Sequence, residues 1–405
     1  MGQKHAVTQK KALAYKKATR PEKVRILDEL VDLTGWHRDH ARKALRGAGE
    51  LRVVRSRPGR PRVYGPLVIS CLVICWTLSR APSGKRLAPM LGVLVPLLRR
   101  DGEIELSDED AQLLMNMSAA TIDRHLAPER AKLGLRGRSH TKPGSLLKSQ
   151  IPIRTWAEWS ENKVGFVEID LVGHEGGNAT GEHCYTLTVT DIASGWTINR
   201  SVKNKAAIWV IEALTHVTQQ FPFPIKGIDS DNGSEFINAH LLAYCAEHKI
   251  TFTRSRAGNK NDGAYVEQKN WTHVRELVGY LRYDTAQELA QLNAIWELNA
   301  LYTNYLCAQQ KLVEKHRNGA KVQKRYDTAQ SPYQRAGAHV SITKRSIAQM
   351  DRAMAKINPG ELYRQIQGLA AELEIMALSK APAPIKPRVN VTWNQSLGGH
   401  SQMRQ

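Results

Sequence analysis

Apolar and polar positions follow two rhythms along this chain, and the change of rhythm divides it. In the first third the spacing is helical. Val24, Leu27, Leu30 and Val31 recur on one helical face, Thr34-Gly35 interrupts the pattern, and Trp36 to Leu45 restarts it. The second segment leaves Arg38, Arg42, Lys43 and Arg46 free to face outward. Two short helices around a Gly-containing turn, the second of them basic, suit a helix-turn-helix. The run "PLVISCLVICWTLS", 66–79, is apolar over 14 residues, too short to span a bilayer, and predicts a buried helix. A helix start follows at Ser107, which is trailed by acids, and another at Ser118. Together they predict a second helical, helix-turn-helix-like segment over 66–135.

From Trp156 the rhythm shortens. "KVGFVEIDLVG", "HCYTLTVTDI" and "GWTINRSV" read as strands, the last two joined by an "ASG" hairpin. A helix over 204–220 with Asn204 as N-cap follows, then the strand "PIKGID", the helix "SEFINAHLLAYCAEHK" and the strand "ITFTRS". A long helix then begins at Asn261 or Asp262. The order β-β-β-α-β-α-β-α predicts a mixed sheet with helices on its faces. Helical spacing returns in "LAQLNAIWELNALYTNYL" and over 359–379, while 311–325 is strongly basic and the tail from Pro382 has no periodicity and is expected to be disordered. The expected organisation is 1–54 helix-turn-helix, 55–65 linker, 66–135 second helical domain, 136–154 linker, 155–310 α/β core, 311–380 basic and helical region, and 381–405 tail.

Charge points to a partner. The formal net charge is +20 over 405 residues, and residues 1–62 hold 17 Lys/Arg against 6 Asp/Glu. A protein this basic is drawn to polyanions, nucleic acid above all. The stretch "RSRPGRPR", 55–62, cannot be helical and resembles an AT-hook core that lays Arg57, Arg60 and Arg62 along a narrow minor groove. Lys269, Arg275, Lys321, Lys324 and Arg325 are further candidates for DNA phosphates. The five cysteines, an odd number in largely apolar surroundings, suggest a reducing cytoplasm and no disulfide framework. The start of the chain lacks the apolar stretch of a signal peptide, so no membrane partner is expected.

Three acids stand where chemistry gathers in open sheets. Asp170 ends the first strand, Asp231 follows the fourth, and Glu267 lies in the first turns of the long helix. A meander leaves the first strand free to lie beside the fourth, so the three can meet. Clustered carboxylates repel and need a cation, and hard oxygen ligands suit Mg²⁺ or Mn²⁺. Two such ions can activate an attacking oxygen and stabilise a leaving one at a phosphodiester. Asp191 is a weaker fourth candidate that reads better as a turn residue. His37, His40, Cys71 and Cys75 form a His-x₂-His and Cys-x₃-Cys pattern, but the cysteines sit in an apolar run, and no zinc is expected.

Thirty-five residues separate Asp231 from Glu267. With "EIDLVGH", "SDNGSEF" and "NDGAYVEQKNW" around the acids, and "TVTDIASGW" and "KRYDTAQSPYQRA" elsewhere, residues 155–340 resemble the bacterial insertion-sequence transposases of the retroviral-integrase superfamily, with their D,D(35)E triad. The resemblance implies an α/β, RNase H-like mixed five-stranded sheet with flanking helices, preceded by all-α helix-turn-helix DNA-binding domains. It implies that Asp170, Asp231 and Glu267 are catalytic and hold two Mg²⁺ or Mn²⁺ ions. It further implies hydrolytic nicking and strand transfer on double-stranded DNA, both terminal inverted repeats and target. A homo-oligomer on DNA, in the bacterial cytoplasm, is the expected setting.

Overall fold

Glu22 opens the first well-patterned helix by turning back on the chain. Its Oε2 accepts from the Thr19 backbone N–H and hydroxyl at 2.8 Å each, which satisfies donors that a helix start leaves orphaned. The computed structural model describes residues 2–48, 63–132, 163–231, 236, 238–254, 264–318 and 321–380, and the chain divides into two units, Met1–Val63 and Tyr64–Gln405.

In the first unit α1 (Gly2–Lys17), α2 (Arg20–Thr34) and α3 (Arg38–Gly47) enclose a small core of Tyr15, Leu27, Leu30, Ala41 and Leu45. Gly35 ends α2 in the left-handed region, φ 67°, and its N–H donates to Val31 O at 2.7 Å. Two readings need correction. Val24, expected on the buried face, is exposed, and the contacts fall to Leu27 and Leu30. Helix α1 escaped the pattern because its sequence has almost no amphipathic bias.

The second unit opens with α4 (Pro66–Thr77), α5 (Gly84–Arg100), α6 (Asp108–Met115) and α7 (Ala119–Lys132). Leu72, Leu87, Leu91, Leu94, Leu114 and Ile122 are fully buried among them. Ser107 caps α6, accepting from Asp110 N at 3.1 Å. Among the described residues no helix is long and apolar enough to cross a membrane.

The sheet contains β1 (Phe166–Gly173), β2 (Tyr185–Asp191), β3 (Thr197–Val202), β4 (Gly227–Ser230) and β5 (Thr251–Arg254) in the order β3-β2-β1-β4-β5. The first three strands are antiparallel, and β1, β4 and β5 run parallel through α8 (Ala207–Gln220) and α9 (Ala239–Glu247). This is the RNase H-like arrangement. Alternation in "YTLTVTD" and "TINRSV" gives the sheet two unlike faces. Leu187, Val189, Ile198, Val167, Ile169 and Ile228 make the apolar face, with α8 packed over it. Thr186, Thr188, Thr190, Thr197, Asn199 and Ser201 make a buried polar face.

That polar face is covered by α10 (Ala264–Lys269), a π-helical turn (Asn270–Arg275), α11 (Glu276–Val278) and α12 (Ala286–Leu306). The cover is hydrogen-bonded as a buried polar surface must be. Trp296 Nε1 donates to Ser201 Oγ at 2.7 Å, Asn199 Nδ2 to Thr188 Oγ1 at 2.9 Å, and Asn304 exchanges two bonds with the Thr197 backbone at 2.8 and 2.9 Å. Arg80 joins the α4–α7 segment to α12 by donating to Asn299 Oδ1 at 2.6 Å, and Arg86 donates to Ala308 O at 3.1 Å.

The remainder departs further from the sequence reading. Asn204 does not cap α8, which begins at Ala207; its Oδ1 accepts from Ala206 N at 3.0 Å in a turn ahead of the helix. The long helix expected after 261 is a short α segment widened into a π turn. The basic stretch 311–325 folds into the antiparallel ribbon β6 (Leu312–Asn318) and β7 (Lys321–Tyr326). Beyond it lie α13 (Pro332–Gly337), α14 (Lys344–Lys356) and α15 (Pro359–Leu378). The expected linker at 136–154, the AT-hook-like stretch and the tail from 382 fall outside the described residues, apart from Val63 to Gly65 at the end of the first linker.

Candidate active site

Asp170 and Asp231 issue from neighbouring parallel strands. Ile169 pairs in register with Ser230, so the next residue on each strand is one of the two acids. Asp170 Oδ1 accepts from Leu171 N at 2.8 Å, and Oδ2 accepts from Asn270 Nδ2 at 2.6 Å. Burial pushes the Asp170 carboxyl up to about 7, Asp231 and then Glu267 push the same way, and the two hydrogen bonds oppose them. The three acids therefore share one electrostatic neighbourhood, with Asp170 deepest and Asp231 and Glu267 exposed. Among the described residues no three His, Cys, Asp or Glu side chains stand close enough to hold one ion in common. Asp231 leads directly into 232–235, which lie outside the described residues.

The helix that carries Glu267 is aimed by a residue the sequence reading passed over. Glu168, two before Asp170 and on the same sheet face, is buried, and its Oε2 accepts from Tyr265 N and Val266 N at 3.1 Å each. A buried carboxylate against the first N–H groups of α10 offsets the helix dipole and fixes where Glu267 begins. The expected caps Asn261 and Asp262 lie outside the described residues. Asn270 was also missed: its amide is the link between the π turn and Asp170. Asp229 is buried beneath Asp231 and accepts from Thr253 Oγ1 at 2.6 Å. The signal for Glu168 was its parity with Asp170 in "VEID"; for Asn270 there was none without the π turn.

Asp191 is a turn residue. It is buried, and its carboxylate accepts from Gly165 N at 2.7 Å, Ser194 N at 2.7 Å and Ser194 Oγ at 2.6 Å, which closes the β2–β3 hairpin. Burial raises its carboxyl, and those bonds pull it back. Cys71 and Cys75 are buried in the α4 core, where burial pushes the Cys75 thiol up to about 12.

The candidate DNA contacts separate into four groups. Lys43 and Arg46 are exposed on α3, while Arg38 pairs with Asp28 and Arg42 with Asp39 at 2.8 Å. Lys321, Lys324 and Arg325 are exposed along β7. Two candidates are corrected. Lys269 is buried, donates to Gln309 Oε1, and is pushed down to about 7 by burial and by nearby Arg86, Lys311 and Arg335. It continues the buried stripe Val266, Lys269, His273 and presents no charge to a phosphate. Arg275 is half-buried and donates to Gly173 O at 2.7 Å and Gly279 O at 3.2 Å, so its guanidinium is spent on backbone. Arg57, Arg60 and Arg62 lie outside the described residues.

With this geometry in place, the integrase core domain family matches residues 162–260, a span that includes Asp170 and Asp231 and stops short of Glu267. The uncharacterized protein y4rM of Sinorhizobium fredii (strain NBRC 101917 / NGR234) is 40% identical over 327 residues, covering 80% of this chain and 92% of that protein. Among solved structures, the HTLV-2 integrase catalytic core domain in complex with magnesium covers 36% of this chain and 88% of its own, at 15% identity and a TM-score of 0.27. The BIV integrase catalytic core domain covers 42% of this chain and 91% of its own, at 16% identity and a TM-score of 0.28.

Proposed function

Because the chain belongs to the integrase superfamily, as a DDE-transposase-like protein of the polynucleotidyl-transferase type, we propose that it is the transposase of an insertion sequence. In this reading it binds the element's terminal repeats, nicks them and joins them to target DNA, with Asp170, Asp231 and Glu267 as the catalytic triad. One observation carries the reading. A carboxyl within β1, one residue past the point where β1 stops pairing with β4 and not at the strand end the sequence suggested, is held near 7 by burial and by two further acids, and nothing cationic among its described partners offsets them.

Charge and donor chemistry both fit a hard divalent ion. Oxygen donors from three carboxylates suit Mg²⁺ or Mn²⁺, and a cation there would restore Asp170 to its ionised form. Two such ions, when bound, would activate the attacking oxygen and stabilise the leaving one. The chain's own residues supply position. Glu168 fixes the start of α10, Asn270 orients Asp170, and Asp229 with Thr253 supports the strand end below Asp231. For DNA we assign α3, through Lys43 and Arg46, and the β6–β7 ribbon, through Lys321, Lys324 and Arg325. A two-stranded ribbon is a shape the major groove admits. Several active sites must act on two DNA ends together, so assembly into a homo-oligomer on DNA belongs to the same proposal.

The test uses purified protein, Mn²⁺ or Mg²⁺, and labelled duplex from the boundaries of the element. Wild type should give nicked and joined products, and Asp231→Asn should bind the same DNA and give neither. An Asp231→Asn protein that still nicks at the wild-type rate removes Asp231 from the chemistry. Nicked product without joined product restricts the activity to hydrolysis.

A further inference from the structure

Two large aromatic rings stand in solvent shortly after Glu267 in the chain. Trp271 is 48% exposed and Tyr280 61%, whereas Trp76, Trp196 and Trp296 are each under 5%. Leaving indole surface in water forgoes a large apolar contribution, so an exposed tryptophan invites a functional reason. The two ring centroids lie 6.5 Å apart.

Neither ring is loosely held. Trp271 Nε1 donates to Glu276 Oε1 at 3.0 Å, which fixes the indole edge while about half of the residue stays in solvent. The Arg275 guanidinium lies 4.6 Å from the Tyr280 ring centroid while its nitrogens are tied to Gly173 O and Gly279 O. Rings fixed in advance lose little freedom when a ligand stacks on them.

Their position is the second observation. Asn270, immediately before Trp271, donates to Asp170. Glu267 and Trp271 are four residues apart and both exposed, on the side opposite the buried stripe of Val266, Lys269 and His273. The π turn begins between them, at Asn270. Widened turns of this kind recur at functional sites. Here it lets Asn270 reach inward while Trp271 faces out.

Asn270 ties the residue before Trp271 to the Asp170 carboxylate, so a base that flanks a phosphodiester bound at these acids is the natural partner to consider for the indole. In a duplex that base has both faces covered, so only one lifted out of the stack can use the ring. We propose that Trp271, backed by Tyr280 and Arg275, is a stacking platform for an unstacked nucleobase next to the scissile phosphate. This rests on the transposase reading and names the DNA form the site takes: an end whose terminal pairs are opened. Every base has a π face, so the platform tolerates sequence and selects for opened structure.

The experiment measures equilibrium affinity, with no turnover, in the full-length Asp231→Asn protein. The probes are one duplex with a short unpaired terminal arm, and the same duplex with abasic sugars in that arm. The parent should prefer the arm with bases by about 5- to 150-fold, the span of one aromatic stacking contact. Adding Trp271→Ala should erase that preference, while Trp271→Phe should retain most of it. A Trp271→Ala protein that discriminates as the parent does overturns the proposal. So does a change in oligomeric mass on Trp271→Ala without DNA, which assigns the rings to contact between copies. A parent that binds neither probe fails the transposase reading itself, a different result from binding both equally, which fails the platform alone.

Discussion

Replacing Lys269 by methionine isolates the cost of burying its ammonium. The side chain is 7% exposed, and its ammonium donates to the neutral Gln309 side-chain carbonyl oxygen. Burial first, and Arg86 next, bring it from 10.5 to about 7. The sign follows from proton counts. Between about 7 and 10.5 the folded protein binds less proton at this site than the unfolded chain, so stability rises with pH across that window and falls as pH drops toward 7. A shift of three to four units corresponds to about 5 kcal/mol as a ceiling. Roughly half of it, about 2–3 kcal/mol, is recovered between pH 6 and pH 9. Methionine matches the lysine stem in length, fills the same space and carries no proton. Lys269→Met should therefore exceed wild type in stability at pH 6, and that advantage should shrink by about 2–3 kcal/mol at pH 9. At the higher pH the lost bond to Gln309, worth about 1 kcal/mol, becomes visible. Urea denaturation of both proteins at the two pH values reads the difference directly. A stability difference that stays constant from pH 6 to pH 9 would mean Lys269 keeps its ordinary ionisation, with water or an anion reaching it, and the burial argument would fail.

Replacing Lys321, Lys324 and Arg325 together by alanine should lower the slope of log affinity against log salt by up to about 0.9 per lost phosphate contact; titrations between 50 and 200 mM salt check it, and an unchanged slope removes β7 from the interface. Glu168→Gln keeps the acceptor for Tyr265 and Val266 but loses its charge, so thermal melting should show a loss of about 1–2 kcal/mol; an identical melt refutes the capping role. Gly195 has φ 76°, and a Cβ there would stand 2.6 Å from Gln309 Oε1. Gly195→Ala should cost about 1–3 kcal/mol, with part regained on adding Gln309→Ala; no recovery in the double variant would leave only backbone strain.

The sheet was legible because its strands alternate strictly and its helices have apolar faces. "YTLTVTD" and "TINRSV" gave both strand type and hairpin, and the meander placed β1 in the interior, where it pairs with β4. The ribbon β6–β7 was not legible, because every described position on β7 is exposed and no period of two can arise without a buried face. Helix α14 had a readable signal in Ile347, Met350 and Met354, at the spacing of one helical face. Helix α1 had none.

At the site, spacing and phase carried different information. Register brings Asp170, inside β1, beside Asp231, which follows the end of β4, and strand order alone foretold that the two strands are neighbours. Which residues of the following helix face inward depends on its phase, and a π turn resets phase in the middle of it. Lys269 looked like a solvated charge two residues past Glu267. The phase puts it on the stripe with Val266 and His273, against Gln309 from beyond α12. The same phase exposes Glu267 and Trp271 together. One helix thus divides its charged residues by face. The acid faces solvent and raises the Asp170 carboxyl, while the lysine is buried against Gln309. With Lys269 held on Gln309, Asp231 and Glu267 act on Asp170 as like charges and raise its carboxyl.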